Sequence, residues 1–422
     1  MVATAGLSLD QAPPIHLPLR LFLTAPWFAV AAALILAFQG EAAMASRWTP
    51  AALAVTHLLA IGFLGQIMCG ALLQMLPVIV GAPLPAVRLV APLTHLLLSL
   101  GSALMSVGFL GLGAPLLGAG AAAAAGGFGV FVVASVVALA RARGPAGTLL
   151  ALRLAVGALA VTVSLGLLLT SALLGWVSLP EFPIWVQAHH TWGLLGWVGL
   201  LIVGVAYRVV PLFYVTSPYP EWMTRVLAPT LLALLAAATL LALVGHGGLA
   251  RWLYGALALG FATFAAQTIR LQGARVRSRR DAALIHWWLA LGSILAGACG
   301  WWLQAPAELM GVLVLVGVGV GLPSGMLLKI VPFLCWFHLQ TRQVASGRFG
   351  VRVPHVHALI PDALARWHPL LHGLTLVVLA AAVGEPVLWR LGGVLLAASA
   401  IWLFALMAAA TWRYGRVSAA LD

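Results

Sequence analysis

The chain has 422 residues, is 63% hydrophobic and only 7% charged, and has a mean hydropathy of +1.09. A water-soluble domain clothes its surface with about a quarter charged residues, so this composition excludes a soluble fold. The net charge of +13 is then a topology signal across a bilayer, not the basic face of a nucleic-acid binder.

Apolar runs of about 20 residues recur along the whole length. They predict an all-α polytopic membrane protein of about twelve transmembrane helices, because only a helix satisfies its own backbone in lipid. The spans fall at roughly 19–40, 51–80, 89–112, 115–140, 149–178, 184–215, 226–245, 252–271, 282–303, 308–338, 369–384 and 387–412. The stretch before Leu19 lacks the charged start and cleavage site of a signal peptide.

The first span carries no polar residue suited to chemistry. The second opens with Thr56-His57 in its outer third and runs inward to Gln74 and Pro77. The third carries His95 near the inner side; the fourth and fifth are Ala/Leu/Gly-rich packing helices. The sixth opens with Gln187-Ala-His189-His190-Thr191-Trp192 and runs to Arg208 and Pro211. Spans seven and eight hold no histidine in the membrane. The ninth begins Asp281-Ala-Ala-Leu-Ile-His286-Trp287-Trp288, and the tenth runs from Glu308-Leu-Met310 past Lys329 to His338. A loop at about 339–367, rich in Arg, His and Pro, precedes the eleventh span, which opens near Trp367-His368 and carries His372.

One octapeptide occurs three times. Gly70–Pro77, Gly204–Pro211 and Gly325–Pro332 each begin with Gly, carry a long polar residue at the fifth place (Gln74, Arg208, Lys329) and end with Pro. Copies spaced by 134 and 121 residues are too far apart for a small solenoid unit. They imply one membrane domain over 1–422, built from three pseudo-repeated four-helix blocks at roughly 19–140, 149–271 and 282–412. The three polar residues either snorkel to the inner interface or line a polar path.

With the N-terminus inside, nearly all arginines fall on the inner ends and loops, including the Arg270–Arg280 run and Arg342, Arg348 and Arg352. The outer loops hold only Arg47, Arg251 and Arg390. The asymmetry predicts a bacterial-type inner membrane location with both termini cytoplasmic, and anionic lipid as the partner of the basic residues. Cys69, Cys299 and Cys335 form no Cys-x-x-Cys pair and are expected as buried small hydrophobes. Cys335 and His338 make a weak Cys-x-x-His pair.

Histidine is the residue type to weigh, since an ionisable group in hydrocarbon is costly unless it serves a site. An outer layer holds His57, His189 and His190; an inner layer holds His95, His286, His338, His368 and His372. His57 precedes its repeat proline by 20 residues and His190 by 21, which sets them at similar heights. Two neutral imidazoles at one depth suit a haem iron or a copper ion. If His95, His286 and His372 converge, they would form a second metal or haem site on the inner side, with His338 a further candidate for it.

Twelve helices with threefold internal symmetry, and spans two, six and ten carrying the marked residues, resemble the plan of haem-copper oxidase subunit I. The segment Met68–Pro83, ending Leu76-Pro77-Val-Ile-Val-Gly81-Ala82-Pro83, is similar to the end of helix two there. Lys329-Ile-Val-Pro332-Phe333 resembles the end of helix ten. The resemblance implies a haem of b type, with copper as a further candidate. It makes His57 the low-spin haem ligand, His190 or His189 the copper ligand, and Met310 the occupant of the height where helix ten supplies the second axial histidine.

The departures are as informative. Span ten has no His-x-His, span seven has no His-His pair, and Gly193 and Leu194 occupy the places of the oxidase tyrosine. A dinuclear oxygen-reducing centre cannot be assembled from these residues in the family's manner. The pattern is closer to the divergent oxidase-like proteins of bacteria, among them the NnrS-type haem-copper proteins linked to nitric-oxide stress. Two functions follow as expectations. One is a haem-binding membrane protein for electron transfer or nitric-oxide handling, served by a redox partner protein. The other is a carrier for a metal, haem or small anion past Gln74, Arg208 and Lys329.

Overall fold

The computed structural model describes Ala12–Val276 and Arg279–Leu421. Arg277 and Ser278 of the basic run, and both chain ends, lie outside the described residues. Twelve helices among the described residues are long and apolar enough to cross a membrane. They are α1 (His16–Gln39), α2 (Pro50–Val80), α3 (Val87–Leu112), α4 (Ala114–Arg141), α5 (Ala146–Leu173) and α6 (Phe182–Tyr214). The others are α7 (Met223–Leu243), α8 (Gly247–Gly273), α9 (Ala282–Trp302), α10 (Ala307–Ser346), α11 (Asp362–Ala381) and α12 (Leu388–Leu421). The chain is an all-α, multi-pass membrane protein.

Helix ends follow local chemistry. Thr49 caps α2, its hydroxyl accepting the Ala52 N–H at 3.0 Å, with Pro50 in the first helical position where its missing N–H costs nothing. Helix α10 continues eight residues beyond the expected end at His338, to Ser346. Hydropathy stops at the membrane surface, but nothing in Leu339–Ser346 breaks a helix until Gly347 takes φ +67°. The loop before α11 is correspondingly shorter and contains a helical turn at Val356–Leu359. Helix α12 likewise outlasts its apolar run, reaching Leu421.

Among the described residues, five of the helices contain π-helical segments, two of them α3 (Gly108–Leu112) and α7 (Met223–Leu227). Helices α2, α6 and α10 each carry a π-helical segment, at Leu58–Gly65, Trp192–Gly199 and Val312–Val320. Each segment ends five residues before the repeat glycine, Gly70, Gly204 or Gly325. Gly62, Gly196 and Gly317 occupy one register within them. The repeat glycines share a job. A Cβ at Gly70 would stand 2.6 Å from Phe22 of α1, one at Gly204 2.8 Å from Ala151 of α5, and one at Gly325 would be driven into His286 of α9. In every copy the glycine lets its helix press against the helix before it in the chain, as small residues do where lipid gives no hydrophobic drive.

The compact units cut across the three sequence blocks. The first holds α2 from Ala71, then α3 to α8, and α9 from Leu291. Its helices α3 and α4 close to backbone contact at Gly101, where a Cβ would meet the Ala124 nitrogen at 2.6 Å. The second holds α1, α2 to Gly70, α9 to Ala290, α10 from Gly311, and α11 and α12. There α1 and α12 approach at Gly393, 2.5 Å from Ala37 nitrogen to a hypothetical Cβ.

Candidate functional site

Within the second unit, α9, α10, α11 and α12 bring three imidazoles together in a buried interior. His286 of α9 and His372 of α11 are fully buried, and His368 of α11 is 1% exposed. His286 Nε2 lies 2.7 Å from His368 Nδ1, and His368 Nε2 lies 3.4 Å from Ser399 Oγ of α12. The ring centroids of His286 stand 4.9 Å from His368 and 5.3 Å from His372. The cluster exists because α10 has no side chains where the rings sit. A Cβ at Gly321 would stand 2.7 Å from His372 Nε2, and Gly325, one turn on, abuts His286.

These rings are under-satisfied. Among the described residues, His286 Nδ1 and both nitrogens of His372 are buried without a hydrogen-bond partner. Each such atom costs about 1–3 kcal/mol when buried unpaired. His286–His368–Ser399 is a chain that can run in either direction. Either His286 Nε2–H donates to His368 Nδ1 and His368 Nε2–H to Ser399, or the protons point the other way.

The outer histidines are oriented differently. His57 Nδ1 lies 2.8 Å from the Leu53 carbonyl and His190 Nδ1 2.9 Å from that of Val186, so each Nδ1–H donates to the preceding turn of its own helix. In its neutral form each ring then carries its lone pair on Nε2. His189 instead turns to α5, donating to the Thr162 carbonyl at 3.1 Å and resting its ring on Gly166. The two adjacent residues thus divide: His189 ties α6 to α5, while His190 is exposed. The π-helical register aligns His57 with Thr191, one residue past His190, since each immediately precedes its segment. His57 belongs to the second unit and His190 to the first.

Of the four expected inner histidines, His286 and His372 meet, joined by His368. His338 of α10 is half-buried and donates to the Leu334 carbonyl at 3.0 Å. His95 is half-buried on α3 in the first unit. Met310 lies in the first unit, its sulfur packed over Gly300 at 3.0 Å from a hypothetical Cβ. Among the polar-path residues, Gln74 is buried, its Oε1 without a partner among the described residues, and Arg208 is half-buried, both in the first unit. Lys329 in the second unit is ion-paired at 2.7 Å with Asp281.

The histidines fit the implied cofactors unequally. His57 and His190 each show a ring fixed by a carbonyl through Nδ1, the orientation that prepares Nε2 for a metal. Among the described residues no group of three or more His, Cys, Asp or Glu side chains is arranged as a ready metal site. Sequence reading placed His368 in the inner layer but missed its position at the hub, although His368-x-x-x-His372 puts both rings on one helix face. It also missed Tyr219, in the loop after α6, which shares a 2.8 Å hydrogen bond with Thr268 and whose phenol burial pushes above its ordinary pKa.

No family model matches the chain, and no curated protein matches it.

Proposed function

We propose that this chain is a haem-binding integral membrane protein on an oxidase-subunit-I-like scaffold, serving electron transfer or a nitric-oxide-related redox step. The observation that carries the reading is His57: a membrane imidazole whose Nδ1–H is held by the Leu53 carbonyl at 2.8 Å, immediately before a π-helical segment. Such segments gather at functional sites in α-helices, and an imidazole held through Nδ1 presents Nε2 as an axial ligand. The next two residues, Leu58 and Leu59, are buried. A b-type haem, when bound, supplies a one-electron couple. His57 orients and holds; the surrounding apolar helices set the low dielectric. His190, one residue before the position that aligns with His57, is a carbonyl-held imidazole of the first unit and the candidate for copper. The same reading places the chain in a bacterial-type inner membrane with both termini cytoplasmic, and gives it a redox partner protein.

The test is the visible spectrum of the purified, reduced protein. A Soret band with α/β bands is expected, and His57→Ala should lower haem content at least about tenfold, the scale of losing a ligand or its orienting shell. A colourless, haem-free preparation overturns the proposal. The carrier reading is the weaker one, because Lys329, a member of its polar path, is committed to Asp281.

A further inference from the structure

We infer that a groove between α11 and α12 binds one anionic glycerophospholipid, with its phosphate on Arg366 and an acyl chain along the groove. Both helices belong to the second unit. Helix α11 has two faces. His368, His372, Thr375 and Leu379 are buried. Trp367, Leu370, Leu374 and Val377 are exposed, at the steps of three and four residues that make one stripe along a helix. Exposed leucine is ordinary on a helix that meets lipid, but this stripe is not flat. Trp367, Leu370, Leu371 and Leu374 of α11 and Trp402 of α12 line a groove of about 320 Å³, at the lower end of the range of about 300–1,000 Å³ for small-ligand sites.

The lining selects hydrocarbon. None of the five side chains is charged, and Trp402 commits its one polar group, the indole N–H, to the Leu364 carbonyl at 3.4 Å. A polar occupant would lose its hydrogen bonds to water there and gain none.

The neighbouring charge selects the headgroup. The Arg366 guanidinium lies 5.4 Å from the centre of the Trp367 ring, beside the groove wall, and Arg366 is exposed. Among the described residues it has no carboxylate partner, because Asp362, one turn earlier, is held by Arg279 and by His357 at 3.2 Å. A phosphodiester matches a guanidinium fork through paired N–H···O bonds. In an anionic lipid that phosphate carries the net charge, whereas a zwitterionic lipid brings its own cation to the same place. Tryptophan rings also suit the depth where chain meets headgroup. The inference is independent of haem at His57.

The test uses the full chain, delipidated in neutral detergent and titrated with phosphatidylglycerol or phosphatidylcholine of matched chains, with bound lipid counted by native mass spectrometry. One phosphatidylglycerol per chain should be retained under conditions that strip phosphatidylcholine, and it should raise the melting temperature. Arg366→Gln should weaken phosphatidylglycerol binding about fivefold, the scale of one basic residue at a charged membrane surface, and leave phosphatidylcholine unchanged. Leu374→Trp, which fills the groove from an exposed position and keeps the arginine, should abolish retention. Haem content, read from the visible spectrum, should stay at the wild-type level in both variants. Should Leu374→Trp fail to fold, Arg366→Gln and the contrast between the two lipids decide. Equal retention of the two lipids by the wild type overturns the proposal, as does undiminished retention of phosphatidylglycerol by Leu374→Trp. A dimer that retains no lipid and dissociates in Leu374→Trp would give the face to a second copy of the chain and overturn it as well.

Discussion

Lys329 Nζ lies 2.7 Å from Asp281 Oδ2, while the other oxygen of the same carboxylate accepts the Leu284 N–H at 2.9 Å. One side chain thus caps α9 and pairs with the only lysine of the chain, within α10. The two side chains are 22% and 20% exposed, so the pair sits between the surface regime of about 0–1 kcal/mol and the buried one, where breaking a pair costs about 3–5 kcal/mol. Asp281→Ala removes both the cap and the pair and should cost about 2–4 kcal/mol. Asp281→Asn keeps a capping oxygen and should cost less by about 1 kcal/mol. Equilibrium unfolding in mixed detergent measures both, and equal losses would show that the cap contributes nothing.

The repeat glycines make a second prediction. Gly325→Ala drives a methyl into His286, and Gly204→Ala sets one 2.8 Å from the Ala151 Cβ, so each should destabilise by about 1–3 kcal/mol. Gly129 of α4 has nothing within 4 Å of a hypothetical Cβ, and Gly129→Ala should be neutral or gain up to about 1 kcal/mol from helix propensity. Thermal unfolding of the three variants side by side decides. A Gly325→Ala protein as stable as Gly129→Ala would mean that the octapeptide marks something other than helix contact.

These glycines show what was legible in the sequence. Gly70, Gly204 and Gly325 announced a repeat because an identical packing task recurs, and hydropathy located twelve spans because lipid demands uninterrupted apolar helices. The π-helical segments were not legible, since a wider turn has no residue signature beyond glycines such as Gly62 and Gly196, which also suit an ordinary packed helix. Height along a helix was readable by counting, but rotation was not. One residue turns a side chain by about 100°, so His189 and His190 at nearly one depth point to different neighbours. The meeting of His286 with His368 depends on which helices of a bundle touch, and their 82-residue separation carries no local trace of that.

The split between His189 and His190 is itself testable. His189 bridges helices through the Thr162 carbonyl, and interhelical hydrogen bonds in membranes are worth about 0.6–1.7 kcal/mol. His189→Ala should therefore lower stability by roughly that amount, with some further loss from the space left over Gly166. His190 is exposed and bonds its own helix, so His190→Ala should change stability by less than about 0.5 kcal/mol. Reversal of the two effects would show that α6 is rotated about its axis relative to this structure.

Orientation in the membrane follows from where the arginines lie and can be read with single cysteines. The segment after α10 carries Arg348 and Arg352, both exposed, and is anchored at its far end by Arg413 donating to the Leu359 carbonyl at 2.6 Å. The turn between α7 and α8, by contrast, holds exposed His246 and no arginine before Arg251. Under the positive-inside rule the first segment faces the cytoplasm and the second faces out. Gly350 and Gly247 have nothing within 4 Å of a hypothetical Cβ, so a cysteine fits at either without strain. In a background with Cys69, Cys299 and Cys335 replaced, Gly247→Cys should react with a membrane-impermeant maleimide in intact cells, and Gly350→Cys only after lysis. The opposite pattern would invert the chain in the membrane, and labelling of both in intact cells would break the helix count between α8 and α10.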